Sequence, residues 1–265
     1  MKNFETIKRA VHEKSKEKIF GNLESEISTE GISAVHKRLD RYFDMLNIKP
    51  DYTLENSQEK HDFREKLNNE AGVIISNHPG YIDIPAVMRV INRSDIKIMI
   101  REEYVSDLKK MVGSNFIVPA SKNTKEWLLV LKEVVDHINA GGVFLIFPSG
   151  GSDLNNIDFK KGFAYLLEKL SADKMVYSFY VNESDVSRVV GGCPSRHIGL
   201  ASSVLLSTDN NVNRLLPKEK FRIDEKYTTV DQWRSIGGDS GLEEKSNLFT
   251  SYYKQLFNLE PEEKA

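Results

Sequence analysis

The chain has 265 residues, 40% of them hydrophobic and 29% charged, with a formal net charge of -2 and a single cysteine, Cys193. That length suffices for one large domain with a sizeable core. The near-neutral charge argues against a generic nucleic-acid binder. One cysteine excludes an internal disulfide or a Cys-x-x-Cys site, and no apolar run reaches the roughly 18 residues of a membrane span.

The first residues, Met1 to Arg9, carry no apolar signal core, so a cytoplasmic location is expected. Residues 1–70 read as a helical N-terminal segment without strands. Phe4, Ile7 and Val11 share one face, and Ile32, Val35, Leu39, Tyr42, Phe43 and Leu46 recur at helical spacing. Gly21 and Gly31 punctuate the first two helices, Pro50 stops the second, and a charged third helix is expected from Ser57 to Asn69.

From Gly72 onward strands alternate with helices, which predicts an α/β fold over residues 71–258: a mainly parallel central sheet flanked by helices. The strand candidates are Val73–Ser76, Ile96–Ile100, Phe116–Pro119, Val143–Phe147 and Met175–Val181. One helix carries Trp127, Leu128, Leu131, Val134, Val135 and Ile138 and ends at Gly141-Gly142. Another carries Phe163, Leu166, Leu167 and Leu170. Residues 183–217 read as surface insertions around a strand near Val204–Leu206. A strand at Phe221–Tyr227, a closing helix at Glu243–Phe257 and a disordered acidic tail at 259–265 complete the pattern.

Two loops hold the chemistry-bearing residues. After Val73-Ile74-Ile75 comes Ser-Asn-His-Pro-Gly-Tyr-Ile-Asp-Ile-Pro, with His78 and Asp83 separated by a turn that can fold the carboxylate back onto the imidazole. Asp83 equally suits capping of the helix that starts near Pro85. After Val143–Phe147 comes Pro148-Ser149-Gly150-Gly151, where glycines let backbone amides approach an anion or a developing oxyanion; a plain tight turn would look the same. Neither a Walker spacing nor a Gly-x-Ser-x-Gly elbow is present, and the six histidines show no His-Glu-x-x-His spacing, so no metal site is expected. Ser106-Asp107-Leu108-Lys109 matches Ser-x-x-Lys without its companion motifs, as chance would supply.

Together the two loops resemble the glycerolipid acyltransferase superfamily. Asn77-His78-Pro79-Gly80-Tyr81-Ile82-Asp83 is similar to that family's Asn-His-x-x-x-x-Asp signature, and Phe147-Pro148-Ser149-Gly150 to its Phe-Pro-Glu-Gly block. Phe159-Lys160-Lys161-Gly162 is similar to the Phe-Lys-x-Gly run that follows in many members. The departures are specific. Ser149 stands where glutamate is usual, and Gly151-Ser152 where Thr-Arg is common. Asn115–Ala120 offers no arginine for an acceptor phosphate, and Val176–Phe179 lacks the fourth block's proline. These departures argue against a phosphate-bearing glycerol acceptor.

The resemblance implies an acyltransferase with His78 as general base and Asp83 orienting it. The acyl donor would be acyl-CoA or acyl-carrier protein as co-substrate, with no other cofactor. The acceptor would be a lyso-lipid, a glycerol-phosphate-like compound or another small molecule, with a peripheral contact to the inner face of a membrane. Ser149, Gly150 and Gly151, with the cations Arg101, Lys160 and Lys161, are the candidate substrate-binding residues, although surface lysines and arginines are commonly just solvated. Tyr104, Met111 and Phe163 are candidates for an acyl groove. A catalytically silent lipid- or acyl-carrier-binding protein and a thioesterase are the competing readings.

Overall fold

The computed structural model describes residues 23–46, 48–56, 58–78, 82–102, 105–120, 123–150, 157–182 and 219–259. A helix pair, α1 (Leu23–Glu30) and α2 (Ile32–Leu46), leads into strand β1 (Ile48–Tyr52) and helix α3 (Gln58–Asn69). Then follow β2 (Gly72–Ser76), α4 (Asp83–Met88), β3 (Lys97–Arg101), α5 (Val105–Val112), β4 (Ile117–Ala120), α6 (Thr124–Asn139) and β5 (Val143–Ile146). The last described elements are α7 (Lys161–Lys169), β6 (Met175–Val181), β7 (Glu219–Thr229), α8 (Val230–Gly237) and α9 (Leu242–Leu256).

The seven strands form one sheet in the order β1-β7-β6-β2-β5-β3-β4. Strands β6, β2, β5, β3 and β4 are mutually parallel, β7 runs antiparallel to β6, and β1 runs parallel to β7. Every residue of β2 and β5 is buried, as strands covered on both faces require, which is why their sequences read as unbroken apolar runs.

Side-chain alternation divides the core in two. Ile74, Ile98, Leu145, Tyr177 and Phe179 face one side, where α2, α3, α4 and α5 cover them. Val73, Ile75, Phe144, Ile146 and Val176 face the other, under α6, α7, α8 and α9, where Phe159, Phe163, Trp233, Phe249 and Tyr253 make a continuous aromatic cluster.

The α/β architecture matches the expectation from sequence, and the predicted strands of the parallel set agree to within a residue or two. Residues 1–70, however, are not strand-free. Ile48, Pro50 and Tyr52 are buried while Lys49 and Asp51 are exposed, so β1 alternates as an edge strand does. Pro50 does not stop α2, which ends at Leu46; it sits in an edge strand, where a missing amide hydrogen is tolerated because only one side is paired. Helix α8 was also not foreseen. Thr229 and Gln232 form a reciprocal capping box at its start, a Thr-x-x-Gln signal that the sequence does carry. The helical face at Phe4, Ile7 and Val11, the insertions at 183–217 with their strand at 204–206, and the tail from residue 260 lie outside the described residues.

Candidate active site

The parallel strands deliver their C-terminal ends to one edge of the sheet, the position favoured for ligands in open α/β sheets. Strand β5 lies on one side of β2 and β6, the next strand in the chain, on the other, so the winding reverses at β2. His78 stands just past the end of that strand.

What happens to the backbone there is decided by Asn77. Its side-chain amide donates to the carbonyl oxygen of Val181 at 2.9 Å and accepts from the Val181 amide at 2.8 Å. The side chain thus substitutes for the peptide that would continue the ladder between β2 and β6, and frees the main chain to turn away. The Asn77 backbone N–H donates to the Tyr253 hydroxyl at 3.1 Å, and that hydroxyl donates to the carbonyl of Phe179. Asn77 and Tyr253 are both fully buried.

Beyond this point the His78 Nδ1 lies 2.7 Å from Asp83 Oδ2. A carboxylate only accepts, so Nδ1 carries the proton, and in the neutral ring Nε2 keeps its lone pair. The second carboxylate oxygen, Oδ1, accepts from the Ile84 amide at 2.6 Å. Asp83 is the first residue of α4, a helix whose six side chains are all buried; Pro85 fits its first turn because the amides there have no intrahelical partner. Asp83 thus contacts the imidazole with one oxygen and a first-turn amide with the other; the N-cap position itself is Ile82, which makes no side-chain capping bond, so Asp83 is not the helix cap that its place in the sequence suggested. A carboxylate with no solvent exposure is tolerable only when hydrogen-bonded, and here both oxygens are engaged. The His78 side chain remains 29% exposed, and its ring lies against Phe147 with centroids 4.6 Å apart and planes at 35°. The imidazole is oriented by one loop and backed by the other.

In the second loop the Gly150 amide donates to the Phe147 carbonyl at 2.9 Å, closing a tight turn, and Gly150 has φ +69°, a region that glycine reaches without strain. Gly150 was expected to offer its amide to a substrate; that amide is occupied within the turn, as the simpler turn reading has it. Ser149 is buried in the same turn, and Gly151 lies outside the described residues.

Lys160 is tied to this loop through its backbone, whose amide donates to the Pro148 carbonyl at 2.9 Å. Its Nζ pairs with Asp158, and Lys161 pairs with Glu243 at 2.8 Å, holding that exposed carboxyl below the usual range. Arg101 ends β3, exposed, at the same edge of the sheet; Ile98 is in register with Leu145, so Arg101 reaches the level of Pro148 on the neighbouring strand. The structure thus brings Ser149, Gly150 and Lys160 to the loop that backs His78, and leaves Arg101 and Lys161 on the rim. Phe163 is a core residue packed on Trp233 and Phe249, not the wall of a groove. The side chains of Tyr104 and Met111 lie outside what is described. Sequence reasoning singled out neither Asn77 nor Tyr253. An asparagine just past an apolar run that ends at Ser76 was a signal for the first; nothing local marks a tyrosine 176 positions away.

Residues 52–182 match the family model described as Acyltransferase, a span that encloses both loops. No curated protein matches the chain. Among solved structures, the chain is similar to the 1-acyl-sn-glycerophosphate (LPA) acyltransferase PlsC from Thermotoga maritima. The TM-score is 0.51 at 16% identity, over 86% of this chain and 79% of that one, a likeness of fold.

Proposed function

We propose that this chain is an acyltransferase of the glycerolipid acyltransferase superfamily and moves a fatty acyl group from a thioester donor to a glycerolipid-type acceptor; the Acyltransferase family model over residues 52–182 and the PlsC-like fold support this reading. The donor is acyl-CoA or acyl-carrier protein, and the acceptor a hydroxyl, or an amine, of a lyso-lipid, a glycerol-phosphate-like compound or another small molecule. The observation that carries this reading is the 2.7 Å contact between His78 and the buried Asp83. It supports a ring protonated at Nδ1, in which Nε2 carries the basic lone pair.

In this mechanism His78 Nε2 takes the proton of the acceptor as its oxygen attacks the thioester carbonyl. The imidazolium is stabilised by Asp83. Collapse of the tetrahedral intermediate breaks the carbon–sulfur bond, and the departing thiolate recovers the proton from His78. The products are an ester, or an amide where the acceptor is an amine, and a free thiol, without a covalent acyl-enzyme. Ser149 and the turn that ends at Gly150 would shape the floor beside the reacting carbonyl. Lys160, by exchanging Asp158 for a ligand, and the rim cations Arg101 and Lys161 would hold anionic parts of donor or acceptor. An acceptor with a long acyl chain resides in a bilayer, so the reading entails a peripheral membrane contact; among the described residues no helix is long and apolar enough to cross one.

The test is thiol release and acylated-product formation by the parent and by His78→Ala, over a panel of lyso-lipid, glycerol phosphate and amine acceptors. Positioned proton transfer contributes about 100- to 10,000-fold. The variant should lose at least that factor while remaining folded. Near-parental turnover in His78→Ala would overturn the assignment, and free fatty acid without acylated product would make the protein a thioesterase.

A further inference from the structure

Strand β2 stops pairing with β6 in an unusual way, and the cause lies in the last helix. The Met175 amide donates to the Ala71 carbonyl while the Gly72 amide points to Gly142 beside β5, so residues 71, 73, 75 and 77 direct their backbone groups towards β6. With Ser76 in register with Phe179, the next rung of a parallel ladder runs from the Asn77 N–H to the Phe179 carbonyl. The Tyr253 hydroxyl stands in that rung, accepting from the first group and donating to the second. A rung bridged by one oxygen is longer than a direct one by about 2 Å, given ordinary hydrogen bonds of about 2.9 Å. The two strands are wedged apart at the residue before His78.

We infer that Tyr253 is a positioning residue for His78: its hydroxyl sets the spread between β2 and β6 and hence the direction in which the chain departs towards the imidazole. It touches no substrate. The hydroxyl is fully buried with its tyrosine, and Phe159 and Phe257 flank the ring, so the wedge is held from behind by the aromatic cluster of α7 and α9. Removing only this oxygen has two outcomes. The rung closes and draws Asn77 towards β6, or a buried donor and acceptor are left without each other. Either way His78 shifts against Phe147 and Asp83.

This inference rests on His78 being the base, and its test separates the two. In Tyr253→Phe, kcat should fall about 10- to 100-fold, the scale for a catalytic group misplaced by about 1 Å, with KM for both substrates within about twofold. The imidazole nitrogen resonances of His78 should move in the same variant. Phe249→Leu, which loosens α9 in the same cluster without touching the hydroxyl, should lower the urea midpoint yet leave kcat and those resonances unchanged. An unaltered kcat in Tyr253→Phe, or an equal loss in Phe249→Leu, overturns the positioning role. Should Tyr253→Phe not fold, amide exchange at Asn77 in the parent protein decides: exchange only through global unfolding supports the wedge, and exchange at loop-like rates refutes it. If instead no acceptor is acylated by the parent, the proposed function fails, while the resonances and the exchange still report on Tyr253.

Discussion

Replacing Asp83 by asparagine gives the sharpest separation between orienting a base and holding a fold. The two side chains have nearly the same volume, and the pocket has no solvent exposure. Asparagine must choose an orientation. Keeping its oxygen on the Ile84 amide, now at 2.6 Å from Oδ1, places its NH2 group against His78 Nδ1, now at 2.7 Å from Oδ2. Two donors cannot face each other, so Nδ1 must give up its hydrogen and Nε2 must take it. The ring remains in place with the wrong nitrogen protonated. Amidating the orienting carboxylate of a serine-protease triad costs about 10,000-fold in kcat by the same route. A loss of that order is expected here in a thiol-release assay at saturating donor. Because the bond to the Ile84 amide is kept, the contact to Nδ1 is remade in the opposite sense and a buried charge is removed, stability by urea unfolding should change by no more than about 1–2 kcal/mol. Asp83→Asn with at least a tenth of parental kcat would refute the tautomer reasoning, and so would a loss of activity that merely follows a loss of folding.

Two other outcomes are expected. Burial pushes the His36 pKa below its ordinary value of 6.5; its Nε2–H donates to the Ile91 carbonyl, which opposes the shift, and Arg89 adds to it. The unfolded chain therefore takes up the proton first, so stability is intact above about pH 6.5 and declines as pH falls below it. His36→Gln, which keeps a donor for Ile91, should flatten the fall in Tm between pH 7 and 5; parallel curves for the two proteins would clear His36. Lys160→Glu should raise KM for donor or acceptor several-fold with kcat little altered. Unchanged KM for both would return Lys160 to ordinary surface.

The parts of this molecule visible in its sequence are those whose physics is local. β2 and β5 announced themselves because burial on both faces favours apolar runs, and the His78–Asp83 contact because an imidazole and a carboxylate five positions apart are close enough in the chain to meet. β1 escaped because a proline near a helix end reads as a stop unless the strand it belongs to is known to lie at a sheet's edge. The amides after Pro148 looked available until the Phe147 carbonyl was seen to claim that of Gly150. Tyr253 was beyond reach, since its value depends on a rung formed by two strands on the other side of the chain.

Gly72 opens β2, and a methyl group there would stand 2.3 Å from the backbone oxygen of Met175. Its own amide is fastened to Gly142, and it sits in register with Val143. Slippage of one residue would carry the imidazole about 3.3 Å along the sheet and swing it to the opposite face, away from the ring of Phe147. The alignment of carboxylate, imidazole and backing ring is thus calibrated at the far end of the strand, by a residue with no chemistry of its own, much as a ruler is trusted because its zero mark is pinned.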